Sequence, residues 1–428
     1  MTRAELEAQL AAPDAQVRLD ALRQLRVKTD RGEIPRPIRT EDTNNHVHTT
    51  YSFSAYSPAG AVWKAYRSGL ATVGIVDHDS VGGAREFISA GDIVGITTTV
   101  GAEIRLSFAD TPLAGRRLNS PDELSAAYVA CHGIPHTQLD RFDALLGRIR
   151  ELRNERNRAQ TEKLNALLAG SGITLDFESD VLPLSQAERG GSVTERHLLY
   201  ALARKIEQSA GRGEPLIRFL ESTLAMPVSA GARRLLLDEA YPNYTFDVLN
   251  VLKSELVAKF FIAGGADSLP VGEVVPQLRE MGIIPTYCYL GDVGESPTGD
   301  KKAQKFEDDY LDELFPVLRS LGFEAVAYMP SRNTEAQLSR VMKLCAKHGF
   351  MEISGEDINQ PRQSFVCERL REPQYAHLSD STWALVGHEH AAGQDPAGGI
   401  FAAGSADQEL DLPGRIAHFR DLGLQFRR

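Results

Sequence analysis

Two periodicities divide the chain. Leu6, Leu10, Val17, Leu19, Leu22 and Leu25 recur at near-helical spacing on either side of Pro13, which predicts two short helices over residues 3–27. Residues 28–42 are polar, contain Pro35 and Pro37, and predict a loop. Short apolar runs then alternate with amphipathic stretches. Strands are expected to end over 44–48 and to run over 71–76, 97–104 and 128–134, with helices over 58–68 and 80–90. Ser57 and Pro58 open the first of these helices as N-cap and first turn. Residues 140–275 keep helical spacing instead, with helices expected over 148–168, 195–207, 216–224, 232–239 and 247–263. Strands return over 283–289, 325–328 and 351–354, and helices over 306–321 and 335–348. Residues 391–407, rich in Ala, Gly and Asp, predict a loose segment. The rhythm is that of an α/β fold. It divides the chain into an N-terminal helical extension (1–40), a first α/β part (41–139), a mostly helical insertion (140–275), a second α/β part (276–390) and a C-terminal tail (391–428).

Composition narrows the function. With 42% hydrophobic and 25% charged residues, the 428-residue chain can build ordinary globular cores. Its apolar runs are too short to span a bilayer and the N-terminus has no apolar signal core, so a soluble cytoplasmic protein without a membrane partner is expected. A net charge of −11 argues against a duplex nucleic-acid partner. It leaves room for an anionic small molecule, since bound metal ions would reverse the local field of a carboxylate cluster. None of the four cysteines forms a Cys-x-x-Cys pair, so zinc-finger and disulfide frameworks are not expected.

The candidate chemistry lies where ionisable residues meet the expected strand ends. His46 and His48 stand two apart, on one side of a strand. Asp77 and His78 close the next strand, Glu103 the third, His132 and His136 flank the fourth, and Asp357 follows the last. In a parallel α/β sheet or barrel such ends converge on one face, which holds the site. Imidazole and carboxylate ligands gathered there suit zinc, manganese or iron. A single His-x-His pair arises often by chance; the ordered conjunction carries the reading.

These residues also carry a resemblance. His46-Val47-His48-Thr49-Thr50-Tyr51-Ser52, then Asp77-His78-Asp79-Ser80, then Gly101-Ala102-Glu103-Ile104 resemble the first three motifs of the PHP (polymerase and histidinol phosphatase) family, and Ser354-Gly355-Glu356-Asp357-Ile358-Asn359 resembles its last. The resemblance implies an irregular (β/α)7 PHP-type barrel, with residues 140–275 as the helical insertion of the nucleotide-phosphatase branch. It also implies phosphoesterase chemistry on divalent metals. Arg196-His197 resembles an Arg/His element of that insertion. Three ligands of the family pattern are replaced: Asn359 stands for a ligand histidine, Tyr289 for another, and Phe53 and Ser54 where an acid or histidine follows the first motif.

One or two divalent ions are therefore expected, with His46, His48, Asp77, His78, Glu103, His132, His136 and Asp357 as candidate ligands. Asp292 and Glu356 could compensate for the departures. The expected reaction is attack of a metal-activated water on a small phosphorylated substrate, with a nucleotide as one candidate. Glu103 and Asp79 are the candidate catalytic groups, and Arg196, His197 and Arg362 the candidate substrate-binding residues. Hydrolysis of a non-phosphate bond and a catalytically silent binding protein are the alternatives. Arg148, Arg150, Arg153, Arg156 and Arg158 read as a solvated helix face. His388-Glu389-His390 reads as incidental, and Cys131 and Cys288 as core thiols. No Gly-x-Ser-x-Gly elbow, Walker loop or dinucleotide fingerprint occurs.

Overall fold

The computed structural model describes residues 1–120, 122–265, 267–293, 304–402 and 409–428. It begins with α1 (Arg3–Gln9) and α2 (Ala15–Asp30). The barrel follows as β1 (Thr43–Val47), α3 (Pro58–Arg67), β2 (Thr72–His78), α4 (Ala84–Val94), β3 (Thr97–Ser107) and β4 (Ala126–His132). The insertion holds α5 (Leu139–Leu167), α6 (Glu195–Ala210), α7 (Glu214–Arg218), α8 (Ala230–Leu236) and α9 (Tyr244–Phe260). Then come β5 (Leu269–Pro270), α10 (Val271–Glu280), β6 (Ile284–Cys288), α11 (Leu311–Ser320), β7 (Ala325–Tyr328), α12 (Glu335–His348) and β8 (Met351–Ser354). The chain finishes with α13 (Ala376–Gln394) and α14 (Leu412–Leu424). Among the described residues no helix is long and apolar enough to cross a membrane.

The sheet runs β1-β2-β3-β4-β6-β7-β8, with the short β5 paired to the end of β3. The ring is nearly closed. Ile358, just past β8, bridges Val47 in parallel through His48 N–H to Ile358 O at 2.9 Å and Ile358 N–H to His46 O at 3.0 Å. Gly355 permits this closure, because a Cβ there would lie 2.6 Å from the His46 nitrogen. The expected barrel-type α/β fold is thus what the chain adopts. Local signals act as read: the Ser57 hydroxyl accepts from Gly60 N–H at 3.0 Å above Pro58, and Gly95 ends α4 in the left-handed region at φ 73°. β2 is buried along nearly its whole length, since one face meets helices and the other the barrel interior.

β4 departs from the parallel rhythm. It pairs antiparallel with both neighbours, placing Glu103 opposite Ala130 and Ala130 opposite Thr286. Its C-terminal end therefore points to the opposite end of the barrel from those of β1, β2 and β3.

That opposite end is floored by α13, which contributes polar side chains to the strand starts. Glu389 Oε1 accepts from Val100 N–H at 2.7 Å, Thr382 Oγ1 from Asn45 Nδ2 at 2.7 Å, and His388 Nε2 donates to the Gly282 carbonyl at 2.8 Å. His388-Glu389-His390 is thus a set of helix residues and not the edge of a loose tail. Of the stretch expected to be loose, residues 391–394 complete α13, 396–398 form a short turn, and 403–407 lie outside the described residues.

The insertion buries a hydrophobic cluster of its own, including Leu198, Leu202, Leu249, Leu252 and Phe260. Phe53 joins it from the loop after β1, with its ring edge-on to His197 at 5.1 Å and near Phe246 at 5.5 Å. The arginines of α5 form no uniform solvated face. Arg148 and Arg158 are exposed, but Arg153 and Arg156 are 4% and 8% exposed. They enter a buried seam of charge: Arg156 pairs with Glu195 at 3.1 Å and Asp267 at 3.2 Å, and Arg105 of β3 with Asp267 at 2.7 Å.

Candidate metal centre

The mouth of the barrel gathers five of the expected residues. His46 and His48 project from the end of β1 with ring centroids 5.1 Å apart, and His48 stacks on His78 of β2 at 4.7 Å. Register places His78 beside Glu103 of β3, with Nδ1 and Oε2 3.1 Å apart. Asp357 follows β8 and brings Oδ1 to 3.1 Å from His48 Nε2. One ligand atom each from His46, His48 and Glu103 lie within 4.8 Å of one another. The Asp357 side chain, 42% exposed, marks the open side; His48 is buried.

Hydrogen-bond bookkeeping shows that this donor set fits a cation. Asp77 accepts from Thr49 N–H, Thr49 Oγ1 and Ser52 Oγ, each at 2.6 Å. Ser52 has one proton, and the contact to Asp77 uses it. His48 Nδ1, 3.3 Å from the same hydroxyl, must then be the donor there. That tautomer turns the Nε2 lone pair toward Asp357 Oδ1, and two acceptors at this separation require a proton or a cation between them. His78 Nδ1 likewise faces the Glu103 carboxylate without hydrogen-bond geometry, as a buried atom lacking a partner.

Electrostatics agree. Burial, with the neighbouring His48 charge, lowers His46 to about 4 and leaves it neutral. Burial pushes Glu103 up to about 7. Burial would also raise Asp357, but the His48 hydrogen bond and the His48, His46 and Arg196 charges hold it well below the usual carboxylate range. Burial would lower His48, but the Asp357 hydrogen bond and the Asp357, Glu103 and Asp77 charges raise it, so a proton takes the place toward Asp357 that a cation would fill. Two imidazoles and two carboxylates suit zinc, manganese or iron.

Several expected residues stand elsewhere. Asp77 is held behind His48, with Oδ1 accepting two hydrogen bonds and Oδ2 one, and it orients His48 through Ser52. Asp79 is not placed as a free acid, because its carboxylate is ion-paired with buried Arg153. The reversed direction of β4 carries His136 to the floor, where Nε2 lies 3.3 Å from Glu389 Oε2. His132 stays inside the barrel but deeper, beside Gly101, with Nε2 buried and unpartnered; burial and His46 lower it to about 3. His197 caps α6, its Nδ1 accepting from Thr194 N–H at 2.9 Å. Arg362 forks onto Asp247 of α9 at 3.1 and 2.8 Å and lies 3.8 Å over the Tyr241 ring, so its guanidinium is committed to the insertion. Arg196, in the first turn of α6, has no hydrogen bond or ion pair among the described residues, while its charge acts on His78, Glu103 and Asp357.

The positions that depart from the family motifs do not restore ligands. Tyr289 points away and hydrogen-bonds Asp308; Asn359 Nδ2 donates to Asp357 Oδ1 at 2.6 Å. Asp292 accepts from Phe306 N–H, and Glu356 from Ser331. Beside Tyr289 it is Cys288 that lies near the cluster; burial and the Glu103 and Asp357 charges raise its thiol well above the usual value. Sequence reasoning missed Thr49 and Ser52, whose signal was two hydroxyls directly after the His-x-His pair. It also missed Arg153, whose signal was the three-residue spacing of Arg150, Arg153 and Arg156 on one helix face.

No family model matches the chain, and no curated protein matches its sequence. Solved structures do. A candidate metal-dependent phosphoesterase from Bifidobacterium adolescentis superposes with a TM-score of 0.52 at 17% identity, over 80% of this chain and 95% of that one. An amidohydrolase from Chromobacterium violaceum, solved with sulfate and no metal, gives 0.49 at 17% identity over 76% and 90%. The first likeness shows a shared fold.

Proposed function

We propose that the chain is a metal-dependent hydrolase of PHP type that cleaves a phosphoester in a small phosphorylated molecule. His46, His48, Glu103 and Asp357 would hold one divalent ion. The observation that carries this is the His48–Asp357 contact, with the imidazole proton already assigned to the Ser52 side. When bound there, such an ion lowers the pKa of a water and draws charge from the oxygen of the scissile group. Asp77 and Ser52 keep His48 in the liganding tautomer. Glu103, 3.1 Å from His78 Nδ1, would act through the ion that it helps to hold. Arg196, which has no hydrogen bond or ion pair among the described residues and whose charge reaches Glu103 and Asp357, would bind an anionic substrate. A second reading, hydrolysis of an amide or lactone, keeps the same ion; the positions taken by Tyr289 and Asn359 favour it by leaving a single set of ligands.

Elemental analysis of gently purified protein tests the core of this reading. Near-stoichiometric zinc, manganese or iron is expected, absent from the His46→Ala, Asp357→Ala double variant. No metal in the wild type after reconstitution would overturn it. Glu103→Gln should then abolish turnover of whichever phosphate, amide or lactone panel the wild type hydrolyses, and with chelator present it should melt with chelated wild type.

A further inference from the structure

Asp79 occupies the left-handed region at φ 48°, immediately after His78, where a non-glycine residue is conformationally costly. Three contacts hold it there. Its N–H donates to the Glu103 carbonyl at 2.9 Å, its own carbonyl accepts from Arg150 Nη1 at 3.0 Å, and its carboxylate pairs with Arg153. Asp79 and Arg153 are 1% and 4% exposed, and Asp79 Oδ1 and Arg153 Nε lack partners. A buried ion pair with unsatisfied atoms is a poor stabilising device, since desolvation offsets most of its attraction. Its place in the fold gives it another use. Asp79 is joined to His78 by the chain and to the Glu103 carbonyl by a hydrogen bond, and the His78 and Glu103 side chains face each other at 3.1 Å beside the other candidate ligands.

We propose that Arg153 is a positioning residue: through Asp79 it sets His78 and Glu103 relative to each other, so that docking of insertion helix α5 completes the metal centre. The effect on metal rests on the metal-dependent reading above; the strap itself does not. Arg153 has a second partner, Glu195 at 3.6 Å, which also pairs with Arg156 and belongs to the seam rather than to the strap. This separates the two roles.

Cobalt(II) titration followed by its visible absorption tests the proposal in Arg153→Gln, Arg153→Lys, Asp79→Asn, Glu195→Gln and the Arg153→Gln, Asp79→Asn double variant, each checked for folding by thermal melting. Arg153→Gln and Asp79→Asn should each weaken binding about tenfold or more and alter the bands. The double variant should be no worse than the poorer single, Arg153→Lys should recover part of the loss, and Glu195→Gln should match the wild type. Wild-type affinity and bands in folded Arg153→Gln and Asp79→Asn would overturn the proposal, as would an equal loss in Glu195→Gln. Asp79→Asn alone decides if Arg153→Gln does not fold. If the wild type binds no cobalt, the metal reading fails, and hydrogen exchange of residues 72–82 and 99–107 decides the strap. Faster exchange in Asp79→Asn or Arg153→Gln than in Glu195→Gln supports it; equal exchange overturns it.

Discussion

The Ser52 hydroxyl has a single proton between a carboxylate and an imidazole, and this small constraint orients the candidate centre. Because Asp77 takes the proton, His48 must donate at Nδ1 and offer Nε2 to the mouth. Removing the hydroxyl should therefore act on metal affinity without touching a ligand. Ser52→Ala is expected to weaken zinc or manganese binding roughly 10- to 100-fold, the usual range for an outer-shell partner. Competition with a chromophoric chelator measures this, and unchanged affinity would refute the role. The same scale separates the candidate ligands by where their side chains stand. A carboxylate at a strand end looks identical in sequence whether it faces a metal, as Glu103 does, or is filled by local donors, as Asp77 is by Thr49 and Ser52. Asp79, His197 and Arg362 have the right chemistry, but each is committed to a partner distant in sequence or to a helix cap.

Among the elements, α13 and α14 meet at glycines. A Cβ on Gly387 would lie 2.0 Å from the Phe419 carbonyl oxygen, and one on Gly423 would lie 1.9 Å from that of Trp383. Gly387→Ala must push the helices apart and should cost about 2 kcal/mol. Thermal or urea unfolding checks this, and a variant that unfolds with the wild type would contradict the close approach. The seam between α5, α6 and the barrel has a pH signature. Burial would raise Glu195, but the Arg153, Arg156 and Arg105 charges lower it from 4.5 to about 2. A folded-state pKa below the unfolded one gives stability that is fully present above about 4.5 and is lost as pH falls toward about 2. The melting-temperature gap between wild type and Glu195→Gln should thus be wide at pH 6 and shrink below 4.5. A gap independent of pH would show that Glu195 does not carry this charge in the fold.

For the whole molecule, the metal centre is where the two ends of the sheet close, since His48 and Ile358 exchange the closing hydrogen bonds beside the ligands. An ion held there links β1, β3 and the end of β8, so it should stabilise the entire barrel. Chelation is expected to lower the melting temperature. Free metal at a hundred times its dissociation constant should restore about 2.7 kcal/mol, and a melt indifferent to chelator and metal would refute the link. Read alone, hydrophobic spacing determined the α/β class and its helical interruption, because that spacing is local and survives in the sequence as periods of about two and 3.6. Closure into a barrel was implied by the resemblance of the motifs. The motifs pointed to the strand ends bearing His46, His48, His78, Glu103 and Asp357, because β1, β2 and β3 are parallel and bring like ends together. Tertiary structure alone decided the direction of β4, whose apolar pattern reads the same in either orientation. That direction sent His136 to the floor and left His132 below the cluster. Tertiary structure also decided the burial of Arg153 and Arg156, since an amphipathic helix does not state whether its polar face meets water or the opposite charges of Asp79, Glu195 and Asp267.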